Sequence, residues 1–291
     1  MSKNILIASL SIIFSSIFFV INDAIINYLS VNQIKFYHFV FYGSPAYIAV
    51  PLFLYIKGEL KNNLKCTNYS IPLIRGLIFA PMPFITFIVL ENISLPEFTT
   101  LNMSAPLIGA IYGFIFLKEK LNSFIYLSLL TGFLGVIFVI QPGFDNFNIY
   151  FLVALFGVLL ITTTTTIVNK FNSVTTTLGY FLYGGLIIHI ISFLLFILDP
   201  IKVSFNIFLL ITIASIFINV ALLLATFAFK KAQKHYSAIF CLVYLQILWS
   251  SLIGFYIFNE YLNNYAIIGA CLIIVSGVIS IPGQFKQIND S

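Results

Sequence analysis

Residues 113–122 read GFIFLKEKLN, and residues 254–263 read GFYIFNEYLN. At one fixed offset Gly113 matches Gly254, Phe114 matches Phe255, Glu119 matches Glu260, Leu121 matches Leu262 and Asn122 matches Asn263. Each copy closes one long apolar run and precedes another. A duplicated apolar unit points to a membrane transporter whose site lies between two halves. The expected units are residues 1–143 and 144–291.

Composition assigns the solvent. Of 291 residues 60% are hydrophobic and only 8% charged, against the roughly 25% charge that a water-exposed domain carries. Lipid is therefore the solvent for most of the chain. Its 33 Phe and 16 Tyr fit lipid-facing bulk and interfacial belts. Cys66, Cys241 and Cys271 have no metal-ligand spacing and read as free thiols, with no disulfide framework. The first apolar run has Lys3 before it and no small-residue cleavage site after it, so it reads as a retained first helix.

A spanning helix needs roughly 20 largely apolar residues. The chain offers ten such stretches: 5–28, 34–56, 71–90, 97–117, 123–140, 148–168, 175–198, 205–229, 235–258 and 264–282. The expected fold class is all-α integral membrane, ten transmembrane helices as two inverted five-helix repeats around a central cavity. With the N-terminus cytoplasmic, Lys3, Lys57, Lys61, Lys65, Arg75, Lys118, Lys120, Lys170, Lys230, Lys231, Lys234 and Lys286 share the cytoplasmic side. Only Lys35 and Lys202 lie outside, an asymmetry that agrees with the positive-inside rule. Both termini are then cytoplasmic and the membrane is the inner one. The net charge of +5 is a topology signal and calls for no nucleic-acid partner. An odd number of helices per half turns the second copy upside down, a plan that puts a site near the bilayer midplane.

Residues 104–142 (SAPLIGAIYGFIFLKEKLNSFIYLSLLTGFLGVIFVIQPG, quoted with the closing glycine) resemble the helix 4–5 signature of the drug/metabolite transporter superfamily, EamA type. Residues 243–278 (VYLQILWSSLIGFYIFNEYLNNYAIIGACLIIVSGV) resemble the matching helix 9–10 signature. The resemblance implies ten helices in two inverted halves, a cavity formed by helices 1–4 and 6–9, and helices 5 and 10 bracing the outside. It also implies a small polar or amphipathic substrate, such as an amino acid, nucleoside, sulfonium compound or drug. Many members carry an arginine in helix 2, where this chain has His38 and Tyr42.

Polar groups inside apolar spans are costly and call for a partner, water or a role. Helix 1 carries Ser11, Ser15 and Asn22 on one line, with Ser16 and Asp23 beside it. Helix 4 aligns Asn102, Ala105, Pro106, Gly109 and Gly113. Helix 8 carries Thr212, Ser215, Asn219 and Thr226, and helix 9 carries Gln246, Ser250 and Gly254 with Tyr244 and Trp249 nearby. Helix 6 adds the run Thr162 to Thr166, and helix 7 adds Tyr180 and Tyr183. Hydroxyl and glycine positions serve close packing as readily as a cavity. The amides Asn102, Asn219 and Gln246 are the better cavity candidates, because local bonding cannot satisfy all their groups. Tyr244 and Trp249 either face lipid or form an aromatic wall.

Asp23 sits roughly 27 Å along helix 1 at about 1.5 Å per residue, in the leaflet that His38 and Tyr42 share. Asp23 with His38 is placed to bind a cationic group or exchange a proton; the alternative is a helix-end carboxylate in interfacial water. The expected substrate-binding set is Asp23, His38, Tyr42, Asn102, Asn219, Tyr244, Gln246 and Trp249. Glu119 and Glu260 read as helix-end residues that organise the start of the following helix. Arg75, the only arginine, reads as an interfacial anchor, and His189 as a satisfied bundle histidine.

No catalytic set, cofactor motif or metal cluster stands out. The chain lacks a Gly-rich phosphate loop, an HExxH motif and a G-x-S-x-G elbow. The expected function is a secondary carrier or exchanger for a small polar metabolite, working by alternating access in the lipid bilayer. An intramembrane enzyme needs catalytic residues converging at one depth, and only Asp23 and His38 offer themselves. A flippase for a lipid-linked or amphipathic substrate is the alternative, although basic groups for a phosphate are nearly absent from the spans. An outer vestibule with Asp23, Glu91 and Glu97 against Lys35 favours a cationic or zwitterionic solute, such as an amino acid or an S-adenosylmethionine-like compound. Oligomeric state is left open.

Overall fold

The computed structural model describes residues 3–32, 34–118, 123–140, 148–232, 235–260 and 264–289. Among these residues fourteen α-helices follow in order: α1 (Lys3–Val31), α2 (Phe36–Ile56), α3 (Leu60–Asn63), α4 (Ser70–Phe79), α5 (Met82–Leu90), α6 (Leu95–Asn102), α7 (Ala105–Leu117), α8 (Ser123–Ile140), α9 (Tyr150–Lys170), α10 (Thr177–Leu198), α11 (Phe205–Ala232), α12 (Tyr236–Cys241), α13 (Gln246–Ile253) and α14 (Asn264–Asn289). Among the described residues no strand forms beyond an isolated bridge between Cys66 and Thr175.

Seven described stretches are long and apolar enough to cross a membrane: Ile5–Val31, Phe36–Ile56, Ser70–Leu90, Leu95–Leu117, Tyr150–Lys170, Thr177–Leu198 and Phe205–Ala232. Three shorter apolar helices, Ser123–Phe138, Leu242–Phe258 and Ile267–Ile279, occupy the positions expected for helices 5, 9 and 10. The chain is a multi-pass membrane protein, all-helical in its described residues. Large apolar side chains face outward along most helices, Phe14, Leu52, Leu130, Leu198 and Phe205 among them. In water such a surface would drive aggregation; against acyl chains it is the ordinary exterior.

Three apolar runs are broken. The third splits at Ala80–Pro81 into α4 and α5, because a proline inside a helix lacks the N–H for its bond and crowds the preceding turn. The fourth splits at Met103–Ser104, two residues ahead of Pro106, into α6 and α7. The expected ninth helix divides into α12, a tight turn over Leu242–Leu245, α13 and a wide turn over Gly254–Phe258, with no proline to announce it. Helix 4 also begins earlier than expected. Ser94 caps it, accepting from the Glu97 N–H, while the Glu97 carboxylate accepts from Ser94 N at 3.0 Å. Pro96 sits in the first helical turn, where its missing N–H costs nothing.

The most extensive helix contacts join one half of the chain to the other: α1 with α11, α2 with α10 and α11, α4 with α10, α5 with α9, α7 with α9 and α12, α8 with α14. Lipid offers no hydrophobic reward for helix association, so small residues and interhelical hydrogen bonds hold these contacts. A Cβ on Gly76 would lie 2.5 Å from the Gly184 carbonyl oxygen, and one on Gly135 would lie 2.7 Å from that of Gly269. The Ser15 hydroxyl donates to the Ala221 carbonyl at 2.8 Å, and Ser128 and Ser276 each donate to the other's carbonyl, at 2.8 and 2.6 Å.

Candidate functional site

A cavity of about 220 Å³ lies among α1, α2, α4 to α7, α9 to α13 and the turn over Leu242–Leu245. Most of its wall is apolar, from Phe19, Phe39, Phe79, Phe98, Phe229 and Phe240 among others. A few polar groups interrupt that wall, the usual make-up of a small-molecule pocket. From α1 come Ser15, Ser16, Asn22 and Asp23; from α4, Arg75; from α6, Asn102. The second half supplies Thr164 and Thr165, His189, Ser215, Asn219 and Thr226, and Gln246.

Two packed apolar clusters share residues with the cavity wall. One contains Ile26, Leu29, Phe39, Leu90, Leu95, Phe98 and Ile211; the other contains Ala8, Ile12, Tyr180, Phe229, Tyr236 and Phe240. At the second cluster the Tyr236 hydroxyl lies 2.9 Å from Thr165 Oγ1 and 2.8 Å from Thr166 Oγ1, and Asn169 Nδ2 donates to the Phe229 carbonyl at 2.9 Å.

Four of the expected site residues, Asp23, Asn102, Asn219 and Gln246, line this cavity. Asp23 is buried and accepts from Asn22 Nδ2 at 3.1 Å. The other four do not line it. The His38 ring is turned to the α10–α11 loop, its Nε2 2.8 Å from the Asp199 carbonyl oxygen, and Tyr42 donates to the Ile201 carbonyl at 2.5 Å. The pairing expected between Asp23 and His38 is therefore absent. The reason is that the loop's exposed carbonyls satisfy both α2 side chains. Tyr244 is buried with Met103, Val136, Ile247 and Ile273, and the Trp249 indole N–H is buried without an acceptor among the described residues.

The same loop changes the partners expected in the vestibule. Lys35, expected to stand against three carboxylates, pairs with Asp199 at 2.8 Å. The Lys35 ammonium and the Tyr37 hydroxyl hold the Asp199 carboxyl below its ordinary range. Glu97 is occupied by its cap, and Asp23 belongs to the cavity.

Two further residues depart from expectation. Arg75 does not anchor an interface: it is buried, lines the cavity and donates from Nη1 to the Tyr180 carbonyl at 3.1 Å. A signal for this lies in the sequence, since Arg75 stands inside an apolar run while the lysines gather in loops. Glu260 caps a helix of the other half: its Oε2 accepts from Leu95 N at 3.1 Å, and its Oε1 lies 3.5 Å from Asn27 Nδ2. Burial raises its carboxyl above the usual range. Glu119, with the rest of residues 119–122, lies outside the described residues. His189 lines the cavity too, with Nδ1 2.8 Å from the Gly185 carbonyl oxygen and its ring stacked on Tyr47.

Comparison with known proteins agrees with this architecture. The chain is similar to an S-adenosylmethionine uptake transporter of Rickettsia bellii (strain RML369-C), 24% identical over 92% of this chain and 91% of that protein. It is likewise similar to an S-adenosylmethionine uptake transporter of Rickettsia conorii (strain ATCC VR-613 / Malish 7), 25% identical over 92% and 90%. A solved crystal structure superposes with a TM-score of 0.71 at 15% identity, covering 94% of this chain and 96% of that one, which speaks for the fold alone. Residues 2–141 match the model of the EamA-like transporter family, which falls within the drug/metabolite transporter superfamily.

Proposed function

We propose that this chain is a secondary carrier or exchanger that moves a small zwitterionic or cationic metabolite across the inner membrane by alternating access. The observation that carries this reading is a cavity whose polar wall is drawn from both halves at matching positions. On α1 Phe19, Asn22, Asp23 and Ile26 line it; on α9 Ile161, Thr164, Thr165 and Val168 do so at one constant offset. On the broken helices, Asn102 and Ala105 correspond to Val243 and Gln246 at the offset of the sequence repeat.

The repeat has a backbone counterpart. Lys118 and Asn259 occupy equivalent places, both left-handed at φ 56 and 55, and their N–H groups return to Gly113 and Gly254. These correspondences support ten membrane-crossing segments in two inverted halves, residues 1–143 and 144–291, with both termini cytoplasmic. Backbone broken at membrane depth is tolerable where it lines a cavity, and the breaks at Met103–Ser104 and Leu242–Leu245 border this one. Rocking of the two halves against each other would open either apolar cluster while its counterpart stays packed, exposing the cavity to each side in turn.

The relatives' printed names place S-adenosylmethionine, a zwitterion with a sulfonium cation, first in the panel to be tested. Counterflow in proteoliposomes, with labelled S-adenosylmethionine, amino acids, nucleosides and dicarboxylates, is the test. Exchange of one zwitterionic or cationic class is expected. A dicarboxylate as best substrate would overturn the charge assignment. No exchange by well-incorporated protein, with lipid scrambling present, would replace the carrier by a flippase.

A further inference from the structure

The cavity holds an acidic and a basic side chain, both buried, that do not pair with each other. Asp23 and Arg75 are each 7% exposed and both line it. Among the described residues the ion pairs are Lys35–Asp199 and His38–Asp199, and neither involves Asp23 or Arg75. The protein contacts each has are neutral: an amide N–H for Asp23, and a single carbonyl for Arg75. Two orphaned atoms stand beside them, Arg75 Nε and Asn22 Oδ1, buried and without partners among the described residues. A guanidinium is a rigid fork of five donors, and here one N–H is engaged while Nε is unmet. Burying such charges without counter-ions is costly, and membrane spans retain them where something else meets them.

Neighbouring contacts set their relative depth. Gly76 meets Gly184, and the adjacent Gly185 meets Tyr47; one helical turn along α2, Gly43 meets Ser215. Ser15 bonds to Ala221 of α11, so the antiparallel α1 brings Asn22 and Asp23 near the level of Ser215. Arg75 and Asp23 thus lie about one turn apart in depth, roughly 6 Å.

We propose that Arg75 reads a carboxylate of the transported solute while Asp23, oriented by Asn22, reads a cationic group a few bonds away. This deepens the carrier reading and rests on it for the cavity's role. The substrate class is a zwitterion with an α-amino-acid or comparable head, paired at both ends by fixed buried charges. A cation lacking the carboxylate would leave Arg75 unmet, and an anion lacking the cation would leave Asp23 unmet.

Matched ligands test this. S-adenosylmethionine and its decarboxylated analogue, and L-methionine and its amide, are compared by counterflow competition and by thermal stabilisation of purified protein. Loss of the carboxylate is expected to weaken a ligand at least tenfold in the wild type. In Arg75→Gln the members of a pair should become equivalent, and Arg75→Lys should restore some of the preference. Equal potency of both members of every pair in the wild type would overturn the proposal, whatever the variants' yield. So would a preference unchanged in Arg75→Gln, or no stabilisation by any carboxylate-bearing zwitterion. Carboxylate-dependent stabilisation without counterflow would instead sink the carrier reading and leave the role of Arg75 standing.

Discussion

Asp23 shows how burial changes what a residue does. Counted along a helix it falls near the bilayer edge, where a carboxylate is hydrated and ordinary. In the folded chain it is buried, with Asn22 as its hydrogen-bond donor. Replacing it with Asn keeps the shape and removes the charge. Asp23→Asn is therefore expected to lower counterflow at least tenfold, roughly the value of one charged hydrogen bond, at unchanged protein yield. Normal transport by this variant would show that the carboxylate is not used. Glu260 is the contrasting case: its carboxylate is spent on the Leu95 N–H and the Asn27 amide, tying the start of α6 to the segment after α13.

At the scale of elements, the joins between helices are made where side chains are smallest. Gly76 of α4 approaches Gly184 of α10 so closely that an added methyl group would meet backbone oxygen and Cα at 2.5 and 2.9 Å. Backbone cannot rotate away as a flexible side chain can. Gly76→Ala is expected to destabilise the protein by about 1–3 kcal/mol, the usual cost of overpacking. It should appear as a lower melting temperature in detergent, and Arg75 would be displaced with α4. Gly254→Ala meets the Pro96 ring at 2.6 Å and the Glu260 carboxylate at 3.4 Å, and serves as the comparison at side-chain contacts. An unchanged melting temperature for Gly76→Ala would mean that the α4–α10 contact is looser than its geometry.

For the whole molecule, the arrangement of loops makes a prediction about sidedness. Cys66 lies in the loop after α3, which Tyr183 of α10 holds through the Leu64 carbonyl at 2.9 Å and Thr175, just before α10, holds through the Lys65 carbonyl at 2.8 Å. With Cys241 and Cys271 replaced by Ala, Cys66 is expected to react with an impermeant thiol reagent in inverted vesicles and not in right-side-out cells. Labelling from outside would reverse the orientation read from the lysines. Composition, the apolar runs and the signature around Ser104 to Gly143 were enough to read membrane residence and the likeness to the EamA-like family, because lipid solvation and motif are written in one dimension. Asn102, Asn219 and Gln246 were also legible, since an amide inside an apolar run needs a partner wherever it packs. The pairing of the helices was not. His38 and Tyr42 left the expected site because α2 meets the Asp199–Ile201 loop, a neighbour more than a hundred residues away. Arg75 entered it because α4 packs inward against α10, turning an anchor into a cavity charge. Depth and partner are properties of packing across the two halves, and only the tertiary structure decides them.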